Sequence, residues 1–364
     1  MRRTLILIGV GQTGGNLVKL ESIASSFRDM NQWAEEQKFD RVIEISDLSG
    51  NPVYLKDISE CVEGLDSSPR PPDQLVVYFN GHGLHNAGGD LWLLSKAPNQ
   101  ATEAVNLYSS VFAAYYRSFK HVVLITDACR VPPTNLKFAN VTGGPIFPNA
   151  DSDGESKAVD QFFAATIGDP ALEVDLNGAP CSIYTLQLTE FLRGQDPTLL
   201  EMMNAPNLLP KVIRPRPLRE ALKTAVRARL IKNNINQNTK PDAILSSDST
   251  AWLSSFDHDP PSSTFGQPLD MGAVAQTADN GETIGPFAPG TPAVPIPPSA
   301  PPELLPMSSA GDAESISFGL TRSAEFQAQM VTALRPDIAT TYAYEESKPW
   351  IPESFHFETS CGFY

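Results

Sequence analysis

The sequence predicts an α/β protein whose mostly parallel sheet is covered by helices on both faces. Short, wholly apolar runs recur along the first two-thirds of the chain, as at residues 5–8, 75–79 and 122–125. Strands that are buried on both faces have this continuous apolar character. Stretches with helical periodicity separate the runs. Because helices that connect parallel strands cover the faces of the sheet, the alternation indicates a three-layer sandwich.

The remaining elements follow the same alternation. Further strands are predicted at residues 42–45, 162–166 and 243–245. A first helix is expected to place Leu17, Leu20, Ala24 and Phe27 on one face, because these residues recur at helical spacing. Similar patterns predict helices near residues 57–65, 111–119, 184–192 and 218–226.

Composition divides the chain into three regions. Residues 1–256 carry the alternating pattern and are expected to fold as one body. Residues 257–308 are rich in proline, glycine, serine and alanine, and we expect a semi-extended linker there because such a stretch buries little apolar surface. Residues 309–364 regain aromatic side chains, including Trp350 and Phe355, and are interpreted as a docking or regulatory tail.

The net charge and the absence of targeting signals limit which binding partners and which cellular location are expected. The net charge of −15 would repel phosphates, so we expect no nucleic-acid partner, whereas a basic peptide suits this field. No stretch approaches membrane-spanning length, and the N-terminal apolar run is too short for a signal peptide. Four scattered cysteines fit a reducing compartment. The predicted location is cytoplasmic, without a membrane partner; the oligomeric state stays open.

Two segments carry the candidate chemistry. His82 follows the apolar run at 75–79, and Cys129 follows the run at 122–125. Because ligands bind beyond the carboxyl ends of parallel strands, both side chains are expected at the same edge of the sheet. A thiol becomes a good nucleophile when an imidazole takes its proton, and the imidazole can later protonate the leaving amine. The pair therefore predicts nucleophilic catalysis by Cys129 with His82 as the base.

Backbone amides complete this predicted site. Glycines flank His82, and the amides of Gly83 and Cys129 are candidate donors to a developing oxyanion. This chemistry requires no cofactor and no metal. Taken singly, Cys129 would fit a buried structural cysteine and His82 a turn histidine. Their joint position after two strands favours catalysis.

These segments resemble the caspase and metacaspase clan. That clan places a His-Gly pair after one strand and an Asp-x-Cys or Gln-Ala-Cys segment after the next, with the histidine roughly 50 residues upstream. Here the separation is 47 positions (129 − 82). "DACR" resembles the caspase "QACRG", with Val131 in place of the glycine, and "FNGHG" resembles the metacaspase "YSGHG". The resemblance covers residues 4–256 and implies a caspase-like three-layer sandwich with cysteine endopeptidase activity.

The resemblance also implies a substrate preference. In metacaspases, the acidic residue two positions before the cysteine helps form a pocket for Arg or Lys, and Asp127 matches it. Asn80, two positions before the histidine, borders the same pocket. Metacaspases carry a further aspartate early in the first helix, where this chain has Ser25 and Ser26. Glu21, about one turn earlier, is expected to substitute as a substrate-binding carboxylate.

The implied biology is that of a restrained protease. Bacterial relatives often act in signalling or in defence against phage, where a protein partner releases the activity, so the resemblance implies an activating partner besides the protein or peptide substrate. The tail is hypothesised to occupy the cleft or to recruit that partner. The alternative is a catalytically silent scaffold that has kept the fold and binds partners.

Two other patterns admit alternative functions. Residues 9–14 match GxGxxG, as in a nucleotide-binding Rossmann-type protein, but that fingerprint needs an acidic residue about 20 positions further on. Glu44 and Asp47 lie thirty or more positions beyond Gly14. Residues 211–232 are rich in Lys and Arg, which indicates either a solvated helix face or a patch for an acidic partner.

Overall fold

The computed structural model describes residues 1–149, 157–176, 179–202, 210–232, 235 and 239–257, together with two short strands near residue 280. The chain divides into two compact units, Met1–Pro289 and Gly290–Tyr364. All described residues lie in the first unit. Most of the predicted linker and the whole of the predicted tail lie outside the described residues.

The elements follow one another in a largely alternating order. The strands are β1 (Arg3–Val10), β2 (Arg41–Ser46), β3 (Gln74–Gly81), β4 (Gly83–Asn86), β5 (Gly89–Leu93), β6 (Ala104–Asn106), β7 (His121–Asp127), β8 (Ala158–Phe163), β9 (Glu173–Leu176), β10 (Ala179–Ser182), β11 (Glu201–Met202), β12 (Lys211–Ile213), β13 (Asp242–Ile244), β14 (Ser254–Phe256), β15 (Gln276–Thr277) and β16 (Thr283–Ile284). The helices are α1 (Ile23–Glu36), α2 (Leu55–Asp66), α3 (Leu107–Ala114), α4 (Leu136–Ala139), α5 (Ile183–Leu192) and α6 (Pro215–Lys232).

Six strands form the central sheet in the order β13-β8-β7-β3-β1-β2. All neighbours are parallel except β13, which pairs antiparallel with β8 at one edge. The central strands β1, β3 and β7 are buried along their whole length. Because successive side chains point to opposite faces, each of these strands contributes to two separate cores.

Helices cover both faces, which makes the molecule a three-layer α/β sandwich. Leu5 and Leu7 of β1 face α1, α5 and α6, whereas Ile6 and Ile8 face α2 and α3. Trp33 lies fully buried in the first of these cores. Burial of each large apolar side chain contributes about 1.5–3 kcal/mol to the free energy of unfolding. The predicted fold class is confirmed.

The first helix starts later than the sequence pattern predicts. Leu17 and Leu20 lie before α1, which begins at Ile23. The amide of Leu20 donates to the carbonyl of Gly11 at 2.9 Å, so the preceding segment folds back on the end of β1. A long loop therefore lies at the carboxyl edge of the sheet, where the pattern suggested the first turns of a helix.

A small antiparallel sheet follows the third strand. It has the order β4-β5-β6, and none of its strands was predicted. The β4–β5 hairpin turns at residues 87–88, and Gly89, which follows the turn and pairs with Asn86, has a φ of +98° that favours glycine. β4 begins at Gly83, directly after His82. The hairpin therefore extends directly from the segment that carries His82.

The basic stretch forms a solvated helix face. In α6 the apolar residues Leu218, Leu222 and Val226 are buried, as predicted. Some of its cations form ion pairs, for example Arg229 with Glu190 at 2.5 Å. No helix in the described part of the chain has the length and apolar character needed to cross a bilayer.

Candidate active site

His82 and Cys129, the two predicted catalytic residues, follow neighbouring strands that pair in register. β3 and β7 are parallel, and Asn80 lies opposite Asp127. His82 and Cys129 each lie two positions beyond this pair (82 − 80 and 129 − 127). Since neighbouring strands are about 4.8 Å apart, the equal distance along each chain brings both residues to the same level. The predicted meeting of His82 and Cys129 at one edge of the sheet is confirmed.

Both residues line one cleft, which we call the acidic cleft. Its walls come from the loop before α1, from the ends of β3 and β7, and from the β9–β10 hairpin. The side chains that matter for its chemistry are those of Asn80, His82, Asp127, Cys129, Glu173 and Ser182. Four of the predicted site residues, Asn80, His82, Asp127 and Cys129, therefore share one cavity.

Gly83 allows the two catalytic segments to approach each other closely. A Cβ atom at this position would lie 2.5 Å from the carbonyl oxygen of Cys129 and 2.9 Å from the Cβ of Ala128. No side chain fits at that distance, so only glycine permits this contact. The proximity suits the predicted pair of amide donors at Gly83 and Cys129. Their role as an oxyanion hole stays a prediction.

His82 is oriented by a backbone carbonyl. Its Nε2 lies 2.7 Å from the carbonyl oxygen of Val18, in the loop before α1. A carbonyl only accepts hydrogen bonds, so Nε2 carries the hydrogen, and in the neutral ring Nδ1 is the nitrogen that can take a proton. The imidazole is 5% exposed. Val18 thus sets the tautomer that a general base requires.

The sulfur of Cys129 lies beside a backbone amide. The amide of Ala171 is 3.2 Å from Sγ and donates to it, and the carbonyl of Ala171 lies 3.8 Å away. A hydrogen bond to the sulfur is stronger when the sulfur is a thiolate. The loop after β8 therefore places both a backbone donor and a backbone acceptor beside the sulfur of Cys129.

Asp127 is buried at the base of the acidic cleft. Its Oδ2 accepts hydrogen bonds from the hydroxyl groups of Tyr78 at 3.2 Å and Thr185 at 2.5 Å. Burial raises the pKa of Asp127 to about 6, although hydrogen bonds from Ser182, Thr185 and Tyr78 oppose that rise. The negative charge of Glu173 raises this pKa further. The carboxylate is thus held in a place where a cation would stabilise it.

Asn80 donates hydrogen bonds to the network of hydroxyl groups around Asp127. Its side-chain amide donates to the hydroxyl groups of Ser26 at 2.9 Å and Tyr78 at 3.3 Å. Tyr78 in turn contacts Asp127, so Asn80 orients the network that holds the carboxylate. Its place in the cleft wall agrees with the sequence prediction.

Glu21 is not among the residues that line the acidic cleft, so this geometry gives its predicted substrate-binding role no support and the role stays a prediction. Its side chain is 55% exposed and pairs with Lys19 at 2.9 Å. The physical reason is the late start of α1: Glu21 precedes the helix, so its side chain is not carried on the inner helix face.

A different carboxylate lines the wall instead. Glu173, on β9, belongs to the acidic cleft and raises the pKa of Asp127 through its charge. Its carboxylate accepts hydrogen bonds from the amides of Glu21 at 3.2 Å and Ser22 at 3.1 Å, at the start of α1. Sequence reasoning missed Glu173 because it lies 44 positions beyond Cys129 (173 − 129), with no motif around it.

The GxGxxG segment has its amides occupied by the protein itself. The carboxylate of Asp47 accepts hydrogen bonds from the amides of Gly11 and Gln12, both at 2.9 Å. In a dinucleotide site such amides would face the phosphates and a helix would begin at the loop. Here α1 begins nine positions after Gly14 (23 − 14). These contacts argue against the nucleotide alternative.

Comparisons with known proteins give no family. No protein-family model and no curated protein sequence matches the chain. Among solved structures, protein GSU0716 from Geobacter sulfurreducens is similar, with a TM-score of 0.43 and 12% identity, over 70% of this chain and 97% of that one. A similarity at this TM-score carries no argument about function.

Proposed function

We propose that the protein is a cysteine endopeptidase that uses a Cys129–His82 dyad. The observation that carries this proposal is the in-register pairing of β3 with β7, which brings the two side chains to one level in one cleft. The caspase-like resemblance of the two segments points the same way. An imidazole with an oriented tautomer and a thiol beside an amide donor are the parts that nucleophilic catalysis requires.

The reaction proceeds in two halves. Nδ1 of His82 takes the proton of the Cys129 thiol, and the thiolate attacks the scissile carbonyl carbon. The oxyanion is held by the amides of Gly83 and Cys129, and the imidazolium returns the proton to the leaving amine as the C–N bond breaks. A water molecule, deprotonated by His82, then attacks the thioester and releases the carboxylic acid and the thiol.

The acidic cleft supports cleavage after a basic residue. Asp127 lies at its base and Glu173 in its wall, so two carboxylates face a substrate side chain that enters. A buried carboxylate whose pKa is raised by burial is stabilised when a guanidinium or ammonium arrives. The substrate residue before the scissile bond is therefore Arg or Lys, and the protein needs no cofactor for this chemistry.

Such a protease requires restraint in the cell. We place it in the cytoplasm, in bacterial signalling or antiviral defence, where a protein partner would release the activity. In this proposal the tail, residues 309–364, serves that regulation. Deletion of residues 257–364 should change either the peptidase activity or the binding of that partner. If neither the peptidase activity nor the binding of the partner changes, the tail has no part in this regulation.

The test is hydrolysis of fluorogenic peptides with Arg, Lys or Asp before the scissile bond. We expect cleavage after Arg and Lys that is lost in Cys129→Ala and retained in Cys61→Ala, a matched cysteine change on α2 outside the cleft. Cleavage after Asp would keep the dyad and overturn the basic pocket. If no peptide is cleaved and a cysteine-directed peptide probe leaves Cys129 unmodified, the chain is better described as a scaffold.

A further inference from the structure

A second cleft lies beside the acidic one. It is lined almost wholly by apolar side chains, and we call it the apolar cleft. The residues that matter are Leu17, Leu84, Leu93, Val131, Pro133 and Phe138, with Gly83 at the end nearest the dyad. None of its lining residues carries a charge.

The two clefts are linked through the chain segments that carry His82 and Cys129. Both of these residues line the acidic cleft, together with Asn80 and Asp127 that precede them. The apolar cleft is lined by residues that follow them, from Gly83 onward and from Val131 onward. The apolar cleft therefore begins at Gly83, the residue next to His82.

We propose that the apolar cleft binds the side chain of the substrate residue that follows the scissile bond. This inference rests on the proposed function and extends it to a cleavage motif: a basic residue, the scissile bond, then an apolar residue such as Leu or Phe.

The direction follows from the chemistry of the dyad. The scissile carbonyl carbon must reach Sγ of Cys129 while the basic side chain before it occupies the acidic cleft. The oxyanion faces the amide of Gly83, which forms the near end of the apolar cleft. The leaving amine then passes His82 on the side away from the acidic cleft. The side chain of the leaving residue consequently points toward Leu84 and Phe138.

The cleft is supported from beneath, so it is present before substrate arrives. Leu84, Leu93 and Val141 belong to a small buried cluster, and Leu17 and Phe138 pack against it while staying partly exposed. The two prolines of the opposite wall, Pro132 and Pro133, have fixed φ angles and lose little freedom on binding. An apolar surface that is partly exposed and already ordered gains free energy when a substrate side chain covers it.

The test measures binding to the full chain carrying Cys129→Ala, so that no turnover is needed. Four peptides vary the two positions independently: Arg-Leu, Arg-Ser, Ala-Leu and Ala-Ser across the scissile bond, with identical flanks and a fluorescent label for anisotropy. We expect Leu to bind roughly tenfold more tightly than Ser at the second position. A fifth peptide, with Leu moved to the position before Arg, should gain nothing.

The four peptides separate the two proposals. The Arg-against-Ala comparison tests the basic pocket, and the Leu-against-Ser comparison tests the apolar cleft. Equal binding of Leu and Ser, a gain from Leu only before the Arg, or the absence of binding by every peptide would overturn the inference. Loss of the Arg preference with a retained Leu preference would instead count against the basic pocket.

A substitution in the apolar cleft tests whether the preference for Leu arises there. Phe138→Ala removes one wall of the apolar cleft and should abolish the preference for Leu while leaving the preference for Arg intact. Phe112→Ala, an exposed phenylalanine on α3, is the matched control and should change neither preference. Circular dichroism checks that both variants fold, and the peptide comparison in the parent chain stands without them. A Leu preference that survives Phe138→Ala unchanged would place its binding elsewhere.

Discussion

Arg130 and Asp90 form a two-pronged ion pair immediately beside Cys129. Nε of Arg130 lies 2.9 Å from Oδ1 of Asp90, and one terminal nitrogen lies 2.8 Å from Oδ2. The guanidinium also lies 3.9 Å above the ring of Phe163. Arg130 follows Cys129, and Asp90 lies on β5, which pairs with the strand that follows His82. The pair therefore joins the segment that carries Cys129 to the hairpin that follows His82.

Breaking this pair should lower both stability and thiol reactivity. Asp90→Ala leaves the buried arginine with only the more distant carboxylate of Asp242, at 3.7 Å, so we expect a cost of up to about 3–5 kcal/mol in the free energy of unfolding. Because Arg130 adjoins Cys129, we also expect slower alkylation of Cys129 by iodoacetamide. Denaturant unfolding and site-resolved mass spectrometry measure the two effects.

The matched control for that change is Asp66→Ala. Asp66 pairs at 3.5 Å with the buried Arg117, away from the clefts. It should lower stability without slowing the alkylation of Cys129. If both variants slow alkylation equally, the Asp90 effect is one of general destabilisation.

The burial of Asp127 predicts a specific pH dependence of stability. Its folded pKa of about 6 lies above the ordinary value, so the folded state binds the proton more tightly than the unfolded state. The contribution of this group to the free energy of unfolding is therefore most favourable below pH 4 and is lost as pH rises from 4 to 6. At pH 7 the free energy of unfolding is lower by about 3 kcal/mol for this reason. Asp127→Asn should remove that loss, as measured by urea unfolding at pH 4 to 8.

The control for this pH profile is Asp248→Asn. Hydrogen bonds from Thr250 hold the pKa of this exposed carboxyl below its ordinary value, so its protonation lies outside the window from pH 4 to 6. Its profile should match that of the parent chain there. A parent profile without any loss of stability between pH 4 and 6 would contradict the assignment to Asp127.

Binding of an arginine peptide should weaken as the medium becomes acidic. Below pH 6 the carboxyl of Asp127 is protonated and no longer attracts the guanidinium, because its folded pKa is about 6. We expect affinity for the Cys129→Ala chain to fall by up to tenfold per pH unit below this value. Anisotropy titrations at pH 5, 6 and 7 measure it.

The two carboxylates of the acidic cleft should behave differently in that titration. Asp127→Asn should bind weakly with little dependence on pH in this range. Glu173→Gln should bind more weakly than the parent chain and keep the dependence, because Asp127 is still present. The same pH profile in all three proteins would exclude Asp127 as the titrating group.

Thiol reactivity should single out Cys129 among the described cysteines. Burial raises the pKa of Cys181 to about 12 and also raises that of Cys61, so both are poor thiolates at neutral pH. Iodoacetamide at pH 7 should therefore modify Cys129 before either of them. His82→Ala should slow this modification by about 10–100-fold, since it removes the base.

The reference for this experiment is His85→Ala. His85 is the nearest other histidine in the chain; its ring nitrogen Nδ1 lies 2.9 Å from Asp90, and it does not line the acidic cleft. Modification of Cys129 should continue in this variant at a rate well above that of His82→Ala. If His82→Ala and His85→Ala slow the modification of Cys129 equally, His82 is not the base that activates this thiol.

Much of the central sheet could be predicted from the sequence. The strands β1, β3 and β7 are continuous apolar runs, because both faces of the sheet are buried, and this alone predicted their parallel pairing. His82 and Cys129 directly follow two of these runs. Their meeting could be predicted because the carboxyl ends of parallel strands share one edge of the sheet.

The chain pattern alone also misplaced some features, for identifiable reasons. The helical spacing of Leu17 and Leu20 suggested a longer first helix, but a hydrogen bond from Leu20 to Gly11 folds that segment back over the sheet edge. The displaced helix start took Glu21 out of the cleft. The spacing of apolar residues along the chain cannot reveal such a contact, because it is the same whether the segment forms a helix or folds back as a loop.

The sequence by itself determined the layered sheet and the placement of His82 and Cys129 at one of its edges, because both depend on residues that lie within or just after a buried strand. Only the tertiary structure decided the surroundings: the carbonyl of Val18 on His82, Glu173 in the acidic wall, the pairing of Arg130 with Asp90 and the apolar cleft. These features join loops that are distant along the chain. Their contacts are set by how the loops pack over the sheet edge, and no local periodicity records that packing.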